Sequence, residues 1–208
     1  MQKVNNLFSR VYKKESIPKI RVLGISGSPR IEGNSDILLD KALAGAAKTG
    51  AQIEKIRSND YQFIACQACE NIRDDGYCSI NDDFQKIYRA VQKAEIIFLS
   101  SPIYFGSLSA QTKMMIDRFQ CHWHAFNKIK KVSSNLKKRG YFLSVQAGSR
   151  DDFFANASLI VRNFFATIGF EYCGELFCPE VEKKGSIFEF PDKMEQAFFL
   201  GEKAVSCL

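Results

Sequence analysis

No apolar run in this chain is long enough to cross a bilayer. The basic residues near its start, Lys3, Arg10, Lys13 and Lys14, are not followed by an apolar stretch, so no secretory signal is expected. Internal repeats and low-complexity tracts are missing. So is any helix-turn-helix or RNP-like segment that would turn positive charge into a nucleic-acid site. Two nucleotide-binding signatures are also absent: the G-x-G-x-x-G of dinucleotide folds and the Gly-Lys-Ser/Thr of the P-loop. The second strand runs out through Ile56-Arg57-Ser58-Asn59 without the carboxylate that grips a ribose, which disfavours a Rossmann NAD site. These absences leave a chain expected in the cytoplasm, with neither a membrane nor a nucleic acid as partner.

What is there fits one well-buried domain. The chain has 208 residues, 46% hydrophobic and 25% charged, and two domains cut from it would each be thin. The net charge of +6 is concentrated in two runs, 128–131 and 137–139, best read as solvated loop faces. The field they make would also welcome an anionic cofactor. Seven cysteines is an odd number in a chain too long to need disulfide staples, so free thiols in a reducing compartment, or a metal site, are expected.

Hydrophobic periodicity predicts strands at 20–26, 52–56, 95–100, 141–145 and 172–177, and helices at 35–48, 82–93, 108–119, 153–168 and 192–206. This alternation implies an α/β fold: a doubly wound, five-stranded parallel sheet with helices on both faces. Residues 1–19 are an N-terminal arm, residues 20–208 the domain, and 59–81 a cysteine-containing insertion without periodicity. Such sheets bind ligands beyond the carboxyl ends of their strands.

The loop after the first strand, Ser26-Gly27-Ser28-Pro29-Arg30-Ile31-Glu32-Gly33-Asn34-Ser35, offers hydroxyls at Ser26, Ser28 and Ser35, an amide at Asn34 and the Arg30 guanidinium, all at a helix start. That set suits a terminal phosphate dianion. The plainer reading is a turn with Asn34 or Ser35 as N-cap. After the third strand, Ser101-Pro102-Ile103-Tyr104-Phe105-Gly106-Ser107 places aromatic surface beside backbone N–H groups, which is what a flat heteroaromatic ring requires. The plainer reading there is a loop packed on its own domain.

Gly24-Ile25-Ser26-Gly27-Ser28-Pro29-Arg30 with Gly33-Asn34-Ser35 resembles the phosphate loop of the NADPH-dependent FMN reductase family. Ser101-Pro102-Ile103-Tyr104-Phe105, then Lys113-Met114-Met115-Ile116-Asp117-Arg118, resembles its isoalloxazine loop and the helix that follows. The resemblance implies a flavodoxin-like fold, FMN as cofactor, NAD(P)H as donor and a small electron acceptor, in a homodimer or homotetramer. It implies that Ser26, Ser28, Arg30, Asn34 and Ser35 hold the phosphate. Pro102, Ile103, Tyr104, Phe105, Gly106 and Ser107 would line the ring, and Gln146 and Gly148 would close its other side. Lys113, Asp117 and Arg118 are read as structural ion-pairing residues, and no side chain is assigned a catalytic proton.

Cys66-Gln67-Ala68-Cys69 and Cys78 resemble the compact cysteine run of the iron–sulfur flavoprotein branch, which implies a cubane cluster and a protein redox partner. The third cysteine of that run is replaced by Ile72, and a four-iron cluster ordinarily takes four thiolates. Water, a distant cysteine or a partner chain would have to supply the fourth ligand. The residues rank packing thiols first, a cluster second, and a zinc or redox-active thiol set third. Cys121-His122-Trp123-His124 is read as a helix end rather than a metal site, its two histidines facing different ways.

Overall fold

The computed structural model describes residues 19–69, 73, 75–129 and 138–207, with 126–129 described as backbone. The arm at 1–18, Ile72 and the lysine-rich segment at 130–137 fall outside these residues. Five strands lie parallel: β1 (Arg21–Ser26), β2 (Gln52–Arg57), β3 (Ile96–Tyr104), β5 (Arg139–Val145) and β6 (Glu171–Cys178). They run in the order β2-β1-β3-β5-β6. A two-residue β4 (Ser107–Leu108) folds back antiparallel on β3 and makes a sixth. The helices are α1 (Asn34–Lys48), α2 (Phe84–Lys93), α3 (Ala110–Asp117), α4 (Gln120–Ile129), α5 (Asp151–Thr167) and α6 (Pro191–Ser206). This is the flavodoxin-like order, whose switch point lies between β1 and β3. None of the described helices is long and apolar enough to cross a membrane.

Successive residues of a strand face opposite ways, and here they feed two separate cores. Val22, Ile96, Phe98, Leu143 and Val145 pack with Leu38, Leu39, Ala42 and Ala197 of α1 and α6. Leu23, Ile25, Ile97, Leu99 and Phe142 pack with Phe84, Ile87, Val161 and Phe165 of α2 and α5. The central strands are therefore apolar on both faces, which is why they read as continuous hydrophobic runs.

The helices α1 and α6 cross through small residues. A β-carbon built on Gly45 would lie 1.9 Å from the Phe198 carbonyl oxygen, and one on Gly201 would lie 1.9 Å from that of Ala42. Each glycine lets the other helix's backbone approach, and together they seat α1, whose first turn opens on the ligand side of the sheet.

Two sequence expectations are corrected. The third strand does not end at Ser100 but continues to Tyr104, because Ser101 and Pro102 pair with Ser144 and Val145 of β5. The expected helix at 108–119 is divided. Leu108 belongs to β4, and Ser109 caps α3 by accepting the Thr112 N–H at 3.3 Å. The helix then breaks at Arg118 and Phe119 before α4 begins, so the Cys121-to-His124 stretch starts a helix rather than ending one.

Candidate functional site

The carboxyl end of β1 leads through Ser26 and Gly27 into α1. Gly27 is required by close approach: its N–H donates to the Ser100 carbonyl at 2.8 Å, and a β-carbon there would fall 1.7 Å from Thr112 Oγ1. The turn then wraps round Ser28, whose Oγ donates to the Arg30 carbonyl and accepts from the Arg30 N–H. Neither Asn34 nor Ser35 caps α1. Gly33 stands at the N-cap, with no side-chain hydrogen bond closing the first turn. The free N–H groups and dipole of that turn favour an anion.

Ser28, Arg30, Asn34, Ser35, Pro102, Ile103, Tyr104 and Gln146 line one groove of about 240 Å³. Its far wall is Val181 and Glu182, from the connection after β6. Ser26 lies buried below the groove, and its Oγ has no hydrogen-bond partner. Phe105, Gly106, Ser107 and Gly148 stand outside it. Phe105 and Gly106 form the β3–β4 turn with φ of 51° and 72°, the positive pair of a tight hairpin, and the Phe105 ring is fully exposed. A phenylalanine held at positive φ is strained, a condition that concentrates at ligand clamps. The Gly106 carbonyl accepts from Asn156 Nδ2 at 2.8 Å, tying the turn to α5.

Asn34 takes a role that local pattern does not reveal. Its Oδ1 accepts from the N–H groups of Gly185 at 2.8 Å and Ile187 at 3.4 Å, and its Nδ2 donates to the Lys183 carbonyl at 2.7 Å. It thereby fastens the far wall of the groove to α1. Val181 and Glu182 carry no sequence signal of their own: this long-range tie, together with the Val181 N–H donating to the Gln146 carbonyl at 2.9 Å, brings them to the site.

The groove fits a flavin mononucleotide. Ser35 Oγ and Gln146 Oε1 are buried without a partner, although both residues line the groove. Orphaned buried polar atoms are rare and call for an occupant. A hydroxyl beside uncapped helix N–H groups and Arg30 suits the phosphate. The amide of Gln146 with Tyr104 and the β3 backbone suits the edge and face of the ring.

A second cavity, about 280 Å³, lies between the insertion and α4. Its wall includes Cys66, Cys69, Cys78, Cys121, Arg118 and His124. Arg118 is fully buried and stacks over the Phe84 ring at 4.6 Å. Its Nη1 donates to Asp82 Oδ2 at 2.7 Å and to the Ile64 carbonyl at 2.8 Å, while its Nη2 donates to Asp82 Oδ1 at 3.0 Å and to Cys78 Sγ at 3.2 Å. Burial works against the charge on Asp82, but the hydrogen bonds from Arg118 and the Ile64 N–H outweigh it and hold the carboxyl below its ordinary range. Burial, with Cys78 adding to it, pushes the Cys121 thiol up to about 12. Lys113 pairs with Asp117 at 2.7 Å. His122 turns away from the cysteines, its Nδ1 lying 3.0 Å from the Thr167 carbonyl oxygen.

Comparison with known proteins bears on the family and the fold. A sequence profile described as NADPH-dependent FMN reductase matches residues 20–171. An iron–sulfur flavoprotein of Methanocaldococcus jannaschii is 42% identical over 99 residues, 48% of this chain and 51% of that one. An iron–sulfur flavoprotein of Methanosarcina thermophila is 33% identical over 99 residues, 48% of this chain and 52% of that one. The chain thus spans about half the length of the curated relatives it matches. Among solved structures, the NAD(P)H:quinone oxidoreductase from Methanothermobacter marburgensis superposes with a TM-score of 0.65 over 88% of this chain and 98% of that one. At 12% identity that likeness speaks for the fold alone.

Proposed function

The chain belongs to the NADPH-dependent FMN reductase family, and on that premise we propose that it binds FMN in the groove beside α1 and passes electrons from NAD(P)H to a small acceptor such as a quinone, flavin or nitro compound. The observation that carries this reading is the pair of orphaned buried groups, Ser35 Oγ and Gln146 Oε1, in one groove with an uncapped helix start. When bound, the flavin supplies the redox chemistry. The chain supplies binding, orientation and electrostatics. Ser28, Arg30, Ser35 and the first-turn N–H groups of α1 take the phosphate. Ser26 supports that loop from below, and Asn34 holds the opposite wall to it.

Pro102, Ile103 and Tyr104 pack on the ring. Backbone N–H groups around 103–107 provide donors for negative charge at its polar edge. Phe105, Gly106, Ser107 and Gly148 border the groove from outside and bear on whatever approaches the ring. In this reading residues 20–208 are the flavin-binding domain, 1–19 an oligomer arm, and the assembly a homodimer or homotetramer.

Arg30→Ala is expected to weaken FMN binding more than tenfold, since a charge-assisted phosphate contact is worth about 1.5–3 kcal/mol. Fluorescence titration of the apoprotein measures it, and unchanged affinity in a folded variant would remove the phosphate assignment. Oxygen-free mixing of the FMN-loaded chain with NADPH or NADH tests the donor. Fast bleaching supports the reductase, whereas reduction only by a protein donor supports an electron carrier.

A second reading is favoured by one observation: four cysteines line a single cavity. In it the chain is an iron–sulfur flavoprotein, with the cluster exchanging electrons with a protein partner. The two readings share the FMN site and differ in where the electrons leave.

A further inference from the structure

The cysteine segment resembles a ligand run with one member missing, and the fold brings a replacement to it. Cys66 and Cys69 come from the irregular segment after β2, Cys78 from the approach to α2, and Cys121 from the first turn of α4. All are free thiols on the wall of one cavity. Cys78 and Cys121 are held by the same residue. The Arg118 guanidinium donates to Cys78 Sγ at 3.2 Å, and Cys121 Sγ donates to the Arg118 carbonyl at 3.2 Å.

Among the described residues, no three His, Cys, Asp or Glu side chains gather closely enough to grip a single metal ion. A mononuclear zinc site asks for that convergence. A cubane cluster instead spreads four thiolates over its corners. Four thiols on the wall of one cavity of about 280 Å³ offer such a cluster one donor for each corner. Ile72, where the short-spaced third cysteine would stand, has no donor atom.

We propose that Cys66, Cys69, Cys78 and Cys121 together hold a four-iron cluster, with Cys121 of α4 taking the place of the missing cysteine. The assignment rests on the iron–sulfur reading above. Arg118 is a positioning residue here: its guanidinium donates to Cys78 Sγ and so fixes the rotamer of one ligand. A ligand from α4 also joins the insertion to the helix that follows α3, so the cluster would staple two parts of the chain that are distant in sequence.

The test is oxygen-free reconstitution of the full, FMN-loaded chain with iron and sulfide. Iron and sulfide are counted against FMN, and spectra are recorded in the visible and by electron paramagnetic resonance. The wild-type chain is expected to take up about four irons and four sulfides per chain. Cys121→Ala, still loaded with FMN, is expected to lose the cluster or to show the resonance of a three-iron species. Cys173→Ala, at an exposed thiol outside the cavity, and His124→Ala are expected to match the wild type. If Cys121→Ala fails to fold, Cys121→Ser is read instead, and a shifted cluster spectrum supports ligation.

Full iron uptake and an unchanged spectrum in Cys121→Ala or Cys121→Ser would overturn the assignment while leaving a cluster in place. So would loss of the cluster in His124→Ala but not in Cys121→Ala. A wild-type chain that binds neither iron nor sulfide would instead overturn the iron–sulfur reading itself.

Discussion

Replacing Arg118 with methionine is expected to cost about 3 kcal/mol or more of stability, read by urea unfolding at neutral pH. The side chain is fully buried, while Asp82 keeps 15% of its side chain exposed. Removing the cation strands a carboxylate with only the Ile64 and Phe84 N–H groups as donors. It also orphans the Ile64 carbonyl. Arg118→Lys keeps the charge but not the fork that reaches Asp82, Ile64 and Cys78 at once, so it is expected to fall between. Adding Asp82→Asn to the methionine variant should return part of the loss, because the stranded charge is then gone. A loss below about 1 kcal/mol in Arg118→Met would mean that the pair behaves as a solvated one. The pH dependence follows in sign. The Asp82 carboxyl is held low in the folded chain, so its contribution is complete above the ordinary carboxylate range near pH 4. It is lost as pH falls through the depressed value, and the gap between wild type and Asp82→Asn should close in acid.

Gly201→Ala sets two effects of opposite sign against each other. Helix propensity alone would stabilise α6 by about 1 kcal/mol. The new methyl, however, would lie 1.9 Å from the Ala42 carbonyl oxygen and 2.9 Å from the Ala46 nitrogen, both backbone atoms that cannot rotate aside. The helices must separate, and overpacking of this kind costs about 1–3 kcal/mol, with the rigid contact placing it at the upper end. A net loss is therefore expected, with FMN affinity falling too, because α1 carries Ser35 and the free first turn. Thermal unfolding and FMN titration on one sample read both. A stabilised variant would show that the α1–α6 crossing yields easily.

The parts of this fold that could be read from sequence are those where one local pattern has one structural solution. The strands at β1, β3 and β5 are apolar on both faces and bounded by turn residues, and their alternation with helices leaves a parallel sheet as the outcome. The break between α3 and α4 was not legible. Leu108, Met115 and Phe119 are all buried, as a continuous helix would also make them. The reason for the break is tertiary: Leu108 pairs with Ile103, and Arg118 sits where the chain must send a guanidinium to Asp82. In the candidate site, residues at a loop with a phosphate-like composition came together in one groove. Val181 and Glu182 gave no sign, because their place depends on contacts with Asn34 and Gln146, far away along the chain. Cys121 was read with its neighbouring histidines, whereas the fold sets it beside Cys78, far away along the chain.

Asn34 has a kinetic consequence. Its side chain bonds Lys183, Gly185 and Ile187, so one residue at the foot of α1, with the Gln146 carbonyl that accepts from the Val181 N–H, latches the opposite bank of the groove. Widening the groove from that side means breaking those bonds, and the β6–α6 connection and any occupant then share one opening event. Such a latch governs residence time rather than encounter, since arrival depends on diffusion and charge while departure waits on local opening. The grip on a bound molecule is thus set partly by a contact that need not touch it.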